Sequence, residues 1–365
     1  MTRVLDSTVD PRLLKGRGAR SNASSRYDEE RRVGFDDGWT LDDEEPPPLK
    51  TEVARDATRT IIARNTSPDI SFSQSINPYR GCEHGCIYCF ARPTHAYLGL
   101  SPGLDFESRI FVKEDAPALL RAELSKPSYR CETIALGANT DPYQPIERKL
   151  AITRGILEVL REFRHPVGVV TKSALVARDI DILAELAQER LAVVSVSLTT
   201  LDRALARKLE PRAATPERRL ETIAALASAG IPVSVLASPM IPALNDSEME
   251  RLLEAAAERG AKGAGYTLLR VPLEIKELFE DWLATHAPNK AKHVMSLLRE
   301  THDGKPYVSE FGKRMRGTGP YAEMLRIRFE RACHRLKLNE RRGPWRLDTS
   351  LFRRPAQRGD QLSLF

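Results

Sequence analysis

Six short apolar segments alternate with segments of helical periodicity through the middle of this 365-residue chain. Strands that are apolar along most of their length are typical of parallel sheets covered by helices. Six strand–helix units are too few to close an eight-stranded barrel. We therefore predict an α/β fold, an open partial (β/α)₆ barrel, with its strands at residues 71–76, 132–137, 167–171, 192–198, 231–237 and 264–268.

Polar residues stand at the ends of these predicted strands, where parallel α/β folds gather their functional side chains. We expect them to surround one opening of the barrel. For the second to the sixth predicted strand, in this order, these residues are Asn139-Thr140-Asp141, Thr171-Lys172-Ser173, Ser195 with Ser197, Ser238-Pro239-Met240, and Arg270.

Three of the five cysteines fall within eight positions after the first predicted strand, as Cys82, Cys86 and Cys89. Thiolates bind iron–sulfur clusters and zinc, and a complete site takes four ligands. Three thiolates on a four-iron cluster leave one iron with an open coordination position, where chemistry can take place. Zinc with a fourth ligand from Cys131, Cys333 or a histidine is the alternative, although these two cysteines read more simply as small buried hydrophobic residues.

The C-x₃-C-x₂-C loop, with Tyr88 before its third cysteine, resembles the signature of the radical S-adenosylmethionine (SAM) superfamily. The strings 77–82 and 139–145 resemble those of its spore photoproduct lyase-like branch. The resemblance covers residues 66–290. It implies a radical SAM core with a [4Fe–4S] cluster held by Cys82, Cys86 and Cys89. It also implies an enzyme that cleaves SAM reductively to a 5′-deoxyadenosyl radical.

The resemblance also implies which strand ends hold SAM. Lys172 is expected to bind the SAM carboxylate, with hydroxyl groups of Ser195 or Ser197 at the same end. Thr140 and Asp141 are candidates for the amino group, because an ammonium needs acceptors. The further candidates are Ser238 with the backbone of 237–241 beside the adenine, and Glu210 with Arg212. Ordinary turn, cap or backbone-satisfying roles stay open for all of them.

One departure from the branch concerns the hydrogen-atom donor. Spore photoproduct lyases carry a cysteine just after the second strand, and this cysteine supplies a hydrogen atom. Here residues 137–141 read Gly-Ala-Asn-Thr-Asp, without a cysteine. The sequence therefore predicts radical generation without predicting thymine-dimer splitting, and it identifies no catalytic residue.

The two ends of the chain differ in composition from the barrel. Residues 1–65 form a polar arm, predicted to be largely disordered or wrapped around the barrel. Residues 291–348 are predicted as a basic helical extension with a helix at 321–338. From Lys313 to Arg358 there are fourteen Lys or Arg and four acidic residues, interleaved with aromatic residues. This pattern is typical of nucleic-acid binding, and a solvated helix capping the barrel is the alternative.

Residues 349–365 are predicted to be a flexible tail that ends in Gln361-Leu362-Ser363-Leu364-Phe365. This pentapeptide resembles the motif by which bacterial proteins bind the DNA sliding clamp. Packing of these apolar residues back onto the barrel is the alternative.

Composition and charge limit the location and the partners. The net charge of +6 is a mild basic bias. There is neither a run of 18 apolar residues nor an apolar signal segment, so we expect no membrane span and a cytoplasmic protein, with association to the nucleoid as an option. We predict a radical SAM enzyme acting on DNA in repair or lesion processing, with a one-electron donor such as flavodoxin or ferredoxin. RNA or protein modification, and a non-catalytic metal-bearing DNA adaptor recruited by the clamp, are the alternatives.

Overall fold

The computed structural model describes residues 14–27, 49–340 and 346–355. The strands are β1 Glu52–Arg55, β2 Ala63–Arg64, β3 Gln74–Ile76, β4 Tyr79–Arg80, β5 Arg109–Val112, β6 Ile134–Leu136, β7 Val167–Thr171, β8 Ala192–Ser197, β9 Val233–Met240 and β10 Gly263–Leu268. The helices are α1 Asp105–Ser108, α2 Ala116–Ser125, α3 Glu147–Leu150, α4 Ile152–Glu162, α5 Ile180–Gln188, α6 Arg203–Leu209, α7 Pro216–Ser228, α8 Met249–Glu258, α9 Ile275–His286, α10 Pro288–Glu300 and α11 Gly319–Arg335. Short 3₁₀ helices span Arg92–Leu98, Ala174–Asp179 and Asp246–Glu248.

The main sheet has seven strands in the order β10-β9-β8-β7-β6-β3-β2. The six strands from β3 to β10 in this sheet pair in parallel, and β2 adds an antiparallel edge. Among the described residues, β3 and β10, the first and last of these parallel strands, are not paired with each other, so the barrel is open. The predicted (β/α)₆ partial barrel is confirmed, and the edge strand β2 is an addition that the sequence did not predict.

The two faces of the sheet differ in their contact with solvent. Along β7 and β8, buried and half-buried residues alternate. Val169 and Val194 are fully buried in the main core, whereas Val170, Ser195 and Ser234 occupy one half-buried row across the neighbouring strands. The helix-covered face therefore forms the core, and the face lined by this half-buried row stays partly open.

A second sheet of three strands, in the order β1-β5-β4, lies next to the start of the cysteine loop. Strand β1 pairs in parallel with β5, and β5 pairs antiparallel with β4. This sheet was not predicted from the sequence. Its strands are only two to four residues long, and β1 is exposed along its whole length, so no periodic signal marks them.

The described part of the N-terminal arm is packed against the barrel. The amides of Gly18 and Ala19 donate hydrogen bonds to the Glu107 carboxylate, both at 2.8 Å. The Arg17 guanidinium donates to the carbonyl oxygens of Glu107 and Leu49. These contacts fit the predicted wrapping arm, while the predicted disorder of residues 1–13 and 28–48 falls outside the described residues.

Helix α11, which overlaps the predicted helix at 321–338, packs on one side of the barrel with Leu325, Phe329 and Ala332 buried. The ring of Phe329 lies 4.8 Å from that of Tyr266 on β10. Residues 361–365, the predicted clamp-binding pentapeptide, lie outside the described residues. Within the part of the chain that is described, no helix has the length and apolar character needed to span a membrane.

Candidate cluster and cofactor site

The cysteine loop begins directly after β4, at the carboxyl edge of the barrel. Cys82 and Cys86 are buried and Cys89 is half-buried. The Cys82 amide donates a hydrogen bond of 2.9 Å to the carbonyl of Phe106. Gly81 has a φ of +79°, and a Cβ there would lie 2.9 Å from the same carbonyl oxygen. A glycine is therefore required where the loop turns away from the strand.

A buried ion pair between Arg92 and Glu107 holds the shape of this loop. Arg92 has no solvent exposure and donates to the carbonyl oxygens of Gly85 at 3.1 Å and Cys86 at 2.9 Å. Because its other donors also reach carbonyl groups or Glu107, the buried guanidinium is fully satisfied, as a buried charge must be. No sequence pattern marks Arg92 or Glu107 beyond the presence of an arginine three residues after Cys89.

The thiols lie close enough to influence one another electrostatically. Burial raises the pKa of the Cys86 thiol well above its ordinary range; Glu210, Cys89 and Cys82 add to this, and Lys172 opposes it. Burial, followed by Cys82, also raises the pKa of Cys89. Metal binding requires thiolates, so loading this loop must release protons.

The donor set was tested against a cluster and against a single ion. Among residues 14–27, 49–340 and 346–355, no group of three or more His, Cys, Asp or Glu side chains could hold one metal ion. A [4Fe–4S] cluster binds each thiolate at a different iron, so its ligands need not converge on one point. The three cysteines, held on one buried and braced loop, fit the cluster.

Lys172 follows β7 and lies at the same edge. Its Nζ donates a hydrogen bond of 2.8 Å to the hydroxyl of Ser197 and lies 5.9 Å from the centroid of the Tyr88 ring. In the described chain no carboxylate is within ion-pair distance of this ammonium. Tyr88 immediately precedes Cys89, so the unpaired cation adjoins the cysteine loop. It is suited to bind a carboxylate.

Tyr88 is fixed by a buried network that ends on Arg219. The Tyr88 hydroxyl donates to the Glu210 carboxylate, and Arg219 forms an ion pair with the same carboxylate. Burial raises the pKa of Glu210, but Arg219 and Lys172 outweigh it and bring the pKa to about 2. Glu210 is therefore ionised, and its contacts are to Tyr88, Arg219 and the Thr199 hydroxyl at 2.7 Å.

Asp141 connects the strand ends to the cysteine loop. Its carboxylate accepts hydrogen bonds of 2.7 Å from the Lys172 amide and the Thr171 hydroxyl, and it lies 3.3 Å from His84 Nδ1. Burial raises the pKa of Asp141, whereas His84 and these hydrogen bonds lower it to about 2. For His84, burial lowers the pKa, but Asp141 and Cys82 raise it to about 10. The pair is therefore ionised within the protein.

The remaining predicted SAM contacts divide into two groups. Ser197 binds Lys172 and lies 3.3 Å from the carbonyl oxygen of Ser238, so β7, β8 and β9 meet at this point. The hydroxyl groups of three others are occupied elsewhere, with Thr140 donating to Tyr79 O at 2.9 Å, Ser195 lying 2.7 Å from Ser234 Oγ, and Ser238 bonded to Thr267.

Arg212, predicted with Glu210 as a further candidate for SAM binding, contacts the cysteine loop instead. Its guanidinium lies 3.1 Å from Glu83 Oε1, and its amide donates to the His84 carbonyl at 3.3 Å. Glu83 and His84 are loop residues between the first two cysteines. Arg212 therefore braces the cysteine loop, a role that its neighbourhood in the sequence did not indicate.

Arg270 follows the end of β10 by two residues and, at the rim of the opening, lies close enough to Cys89 to be influenced by its charge. Its guanidinium lies 4.7 Å from the centroid of the Phe90 ring, and Phe90 is 45% exposed. Burial lowers the pKa of Arg270, but a guanidinium keeps its charge. Among described residues this side chain has neither an ion pair nor a hydrogen bond. The rim thus presents an unpaired cation and an exposed aromatic face.

The family model of the radical SAM superfamily matches residues 76–256. This chain belongs to the radical SAM superfamily. It is 40% identical over 261 residues to an uncharacterized protein of Mycobacterium tuberculosis, covering 71% of this chain and 73% of the relative. An uncharacterized protein of Methanocaldococcus jannaschii is 30% identical over 173 residues, which cover 47% of this chain and 62% of that protein.

Solved structures of spore photoproduct lyase share the fold. One mutant matches with a TM-score of 0.57 and 16% identity over 78% of both chains. Another mutant, with bound AdoMet and dinucleoside spore photoproduct, matches with a TM-score of 0.56 at the same identity and coverage. The predicted recognition is confirmed, with the likeness to spore photoproduct lyase residing in the fold. The protein is a radical SAM enzyme, and its family implies a [4Fe–4S] cluster and SAM.

Proposed function

We propose that this enzyme cleaves SAM reductively and acts on nucleic acid, with DNA as the favoured substrate, in repair or lesion processing. Cys82, Cys86 and Cys89 would hold the cluster. When bound, the cluster supplies one electron to the sulfonium of SAM, from which a 5′-deoxyadenosyl radical forms. Everything else that the reaction needs from the protein is binding, orientation and charge.

The unpaired ammonium of Lys172 carries the proposal for SAM. It is held by Ser197 at the edge where the cysteine loop and the strand ends meet. We assign the SAM carboxylate to Lys172 because a partly desolvated ammonium without a counter-ion gains a charge-assisted bond from it. Asp141 binds the Lys172 amide and acts as a positioning residue. Roles of Thr140, Ser195 and Ser238 toward SAM stay predictions.

The proposal that the enzyme binds nucleic acid rests on the rim of the opening. Single-stranded bases stack on exposed aromatic faces while cations bind the backbone phosphates. Phe90 and Arg270 offer both features beside the cysteine loop. The spore photoproduct lyase structure that holds a dinucleoside photoproduct lends support through its shared fold.

Helix α11, the predicted nucleic-acid face, gives less support than its composition suggested. Arg326 is paired with Glu323 and Glu330 on the same helix, and Arg328 is paired with Glu250 on α8. A phosphate would have to displace these carboxylates. The proposal therefore rests on the rim and not on α11.

The SAM site is tested by anaerobic reconstitution with iron and sulfide, reduction by dithionite, and measurement of 5′-deoxyadenosine. Lys172→Ala should keep the cluster and lose about 1.5–3 kcal/mol of SAM binding, the contribution of a charged hydrogen bond. Lys292→Ala, at an exposed position of α10, is the matched control. Equal SAM affinity in the two variants would remove Lys172 from the site.

The substrate is tested by product analysis after damaged DNA is incubated with reduced enzyme and SAM, and by competition between DNA and RNA. Arg270→Ala should weaken binding of single-stranded DNA by about tenfold, because phosphate and stacking contacts are each worth roughly 1–3 kcal/mol. Arg331→Ala, exposed on α11, is the control. Preferential competition by RNA would assign RNA instead, and no binding of either would favour a protein substrate.

The metal-bearing adaptor, the other alternative, is not favoured, because the chain belongs to a superfamily of enzymes and no group of three described His, Cys, Asp or Glu side chains could hold a single metal ion. Recruitment by the sliding clamp through residues 361–365 is a separate proposal. Deleting these five residues should abolish co-elution with the clamp while leaving SAM cleavage unchanged, and equal co-elution by both proteins would refute it.

A further inference from the structure

A cavity of about 840 Å³ opens beside α6, on a part of the surface that the proposed reaction does not use. No Asp or Glu lines it. Six of the nine lining residues are basic or histidine, and we call this the basic cavity: Lys15, Arg17, Arg203, Arg207, Lys208 and His286.

Most of these charges have no counter-ion. In the part of the chain that is described, the side chains of Lys15, Arg203, Arg207 and Lys208 form neither an ion pair nor a hydrogen bond. Arg17 is committed to backbone carbonyl oxygens and not to a carboxylate. Like charges that gather without partners repel one another, so such a cluster attracts an anionic ligand.

The basic cavity lies directly behind the cysteine loop. The carbonyl of Leu209, which follows Lys208, accepts a hydrogen bond of 3.0 Å from the Ile87 amide. Gly18, next to Arg17, approaches the loop so closely that a Cβ there would lie 1.8 Å from the Gly85 oxygen. Two segments that line the cavity therefore touch the loop backbone between or beside the cysteines.

A buried tryptophan fills the space between the cavity and the thiols. Trp282 donates from Nε1 to the carbonyl of Lys208 at 2.9 Å, and its ring lies 5.2 Å from that of His286. It belongs to the same buried apolar cluster as Cys86 and Ile87. Packed side chains thus lie between the cavity and the cysteine loop.

The reaction needs two approaches to the loop, one for substrate and one for an electron. The rim with Arg270 and Phe90 adjoins Cys89, whereas the basic cavity adjoins residues 85–87. Resting on the proposed function, we propose that the basic cavity docks a small acidic protein that carries one electron on a flavin or an iron–sulfur group. The donor loses one electron and the cluster gains it, and no bond forms or breaks in this step.

The form of the cavity favours a protein over a nucleic-acid backbone. Its cations converge on one concavity from the N-terminal arm and α6, instead of following a line as phosphates do. Charge complementarity of this kind speeds and orients the docking of proteins and is weakened by salt.

The test uses the full chain and a charge-reversed triple variant, Arg203→Glu, Arg207→Glu and Lys208→Glu. All three positions are exposed on α6, so folding should be retained. The matched control reverses three exposed cations elsewhere, Lys292→Glu, Arg331→Glu and Lys337→Glu. Flavodoxin is the probe, with its affinity measured by calorimetry at low and high salt. The α6 variant should bind it at least about tenfold more weakly, and the control should not.

Cluster reduction gives the second readout. With dithionite, both variants should cleave SAM as the unmodified protein does; with reduced flavodoxin, cluster reduction should slow only in the α6 variant. Unchanged flavodoxin affinity would overturn the docking site, as would a loss confined to binding of a short DNA duplex. Absence of SAM cleavage with dithionite in the unmodified protein would refute the proposed function instead, which keeps the two failures apart.

Discussion

The two ends of the barrel are closed by different kinds of side chain. At the carboxyl end, ionised groups are buried in pairs: Glu210 with Arg219, and Asp141 with His84. At the amino end, Gln74, Tyr129 and His165 form a buried polar cluster without an ion pair: the Tyr129 hydroxyl donates to Gln74 Oε1 at 2.7 Å and lies 2.7 Å from His165 Nε2. Buried charge is costly unless it is paired, and at the carboxyl end these pairs lie around the cysteine loop.

The amino end is covered by the described C-terminal segment, residues 346–355. The Phe352 ring lies 5.5 Å from that of His165 and 5.6 Å from that of Tyr129. The Arg353 amide donates to the Phe163 carbonyl at 3.0 Å. These contacts serve packing and no chemistry that we can identify, so substitutions there should affect stability without affecting SAM.

The largest expected difference is between the three cysteines of the loop and the two cysteines elsewhere in the chain. Cys82→Ala, Cys86→Ala and Cys89→Ala should each abolish the visible thiolate-to-iron absorbance of the reconstituted protein, because each removes a ligand. Cys131→Ala, before β6 at the amino end, should leave the absorbance intact, as should Cys333→Ala on α11. Loss of absorbance in either of the last two would reveal a fourth protein ligand.

Glu210→Ala should cause the next largest effect, a loss of unfolding free energy that is measured by urea denaturation of the metal-free protein. It leaves the fully buried Arg219 without its counter-ion, which costs about 3–5 kcal/mol of unfolding free energy. Adding Arg219→Met removes the unpaired charge and should recover much of the loss. A loss below about 1 kcal/mol in the single variant would show that water reaches this end of the barrel.

Acid should destabilise the protein through His165 at the amino end. Burial lowers its pKa from the model-compound 6.5 to about 4, so the unfolded chain binds a proton that the folded chain excludes. The unfolding free energy is therefore unaffected by protonation of His165 above pH 6.5. As the pH falls from 6.5 toward 4, the protein loses on the order of 3 kcal/mol of this free energy.

The check is the pH dependence of urea unfolding for His165→Asn, which cannot titrate, against the unmodified protein. Their difference in unfolding free energy should narrow as the pH falls below 6.5. His334→Gln, exposed on α11, is the matched control for replacing a histidine. A difference for His165→Asn that does not change with pH would mean that this histidine takes up its proton in the folded state.

The smallest expected effect is on SAM binding, and it distinguishes two serines of β8. Ser197→Ala removes the hydroxyl that holds Lys172 and should weaken SAM binding by about 0.5–1.5 kcal/mol, as for one hydrogen bond. Ser195→Ala should leave SAM affinity unchanged, because its hydroxyl contacts Ser234 inside the barrel. Equal losses in titration calorimetry would place both serines in the SAM site.

The parallel strands were predictable because each has a local pattern, an apolar run of strand length bounded by polar residues. Strands β1, β4 and β5 were not predictable, because they are defined by pairing between segments that are far apart in the sequence. Their own residues show no periodic pattern. In β1, for example, Glu52 pairs with Arg109. Helix α6 was also missed, although Asp202 caps it by accepting hydrogen bonds from the amides of Ala204 and Leu205.

The site shows the same division. The cysteine triplet is local, and the rule for strand ends was enough to predict that Lys172 and Ser197 share one edge. The sequence did not indicate that the hydroxyl groups of Thr140 and Ser195 are already occupied. It also did not reveal Arg92, whose five hydrogen-bond partners are set by the folded loop.

The sequence by itself determined the alternation of strands and helices, the three cysteines and the excess of arginine and lysine. Only the tertiary structure decided which of those cations are free. The arginines of α11 that drew attention to nucleic acid include Arg326 and Arg328, both paired with carboxylates. Among the residues that the structure describes, Arg203, Arg207 and Lys208 of α6 form no ion pair. The physical reason is that an ion pair requires two groups within a few ångströms, and Arg328 meets Glu250 across 78 positions of the chain.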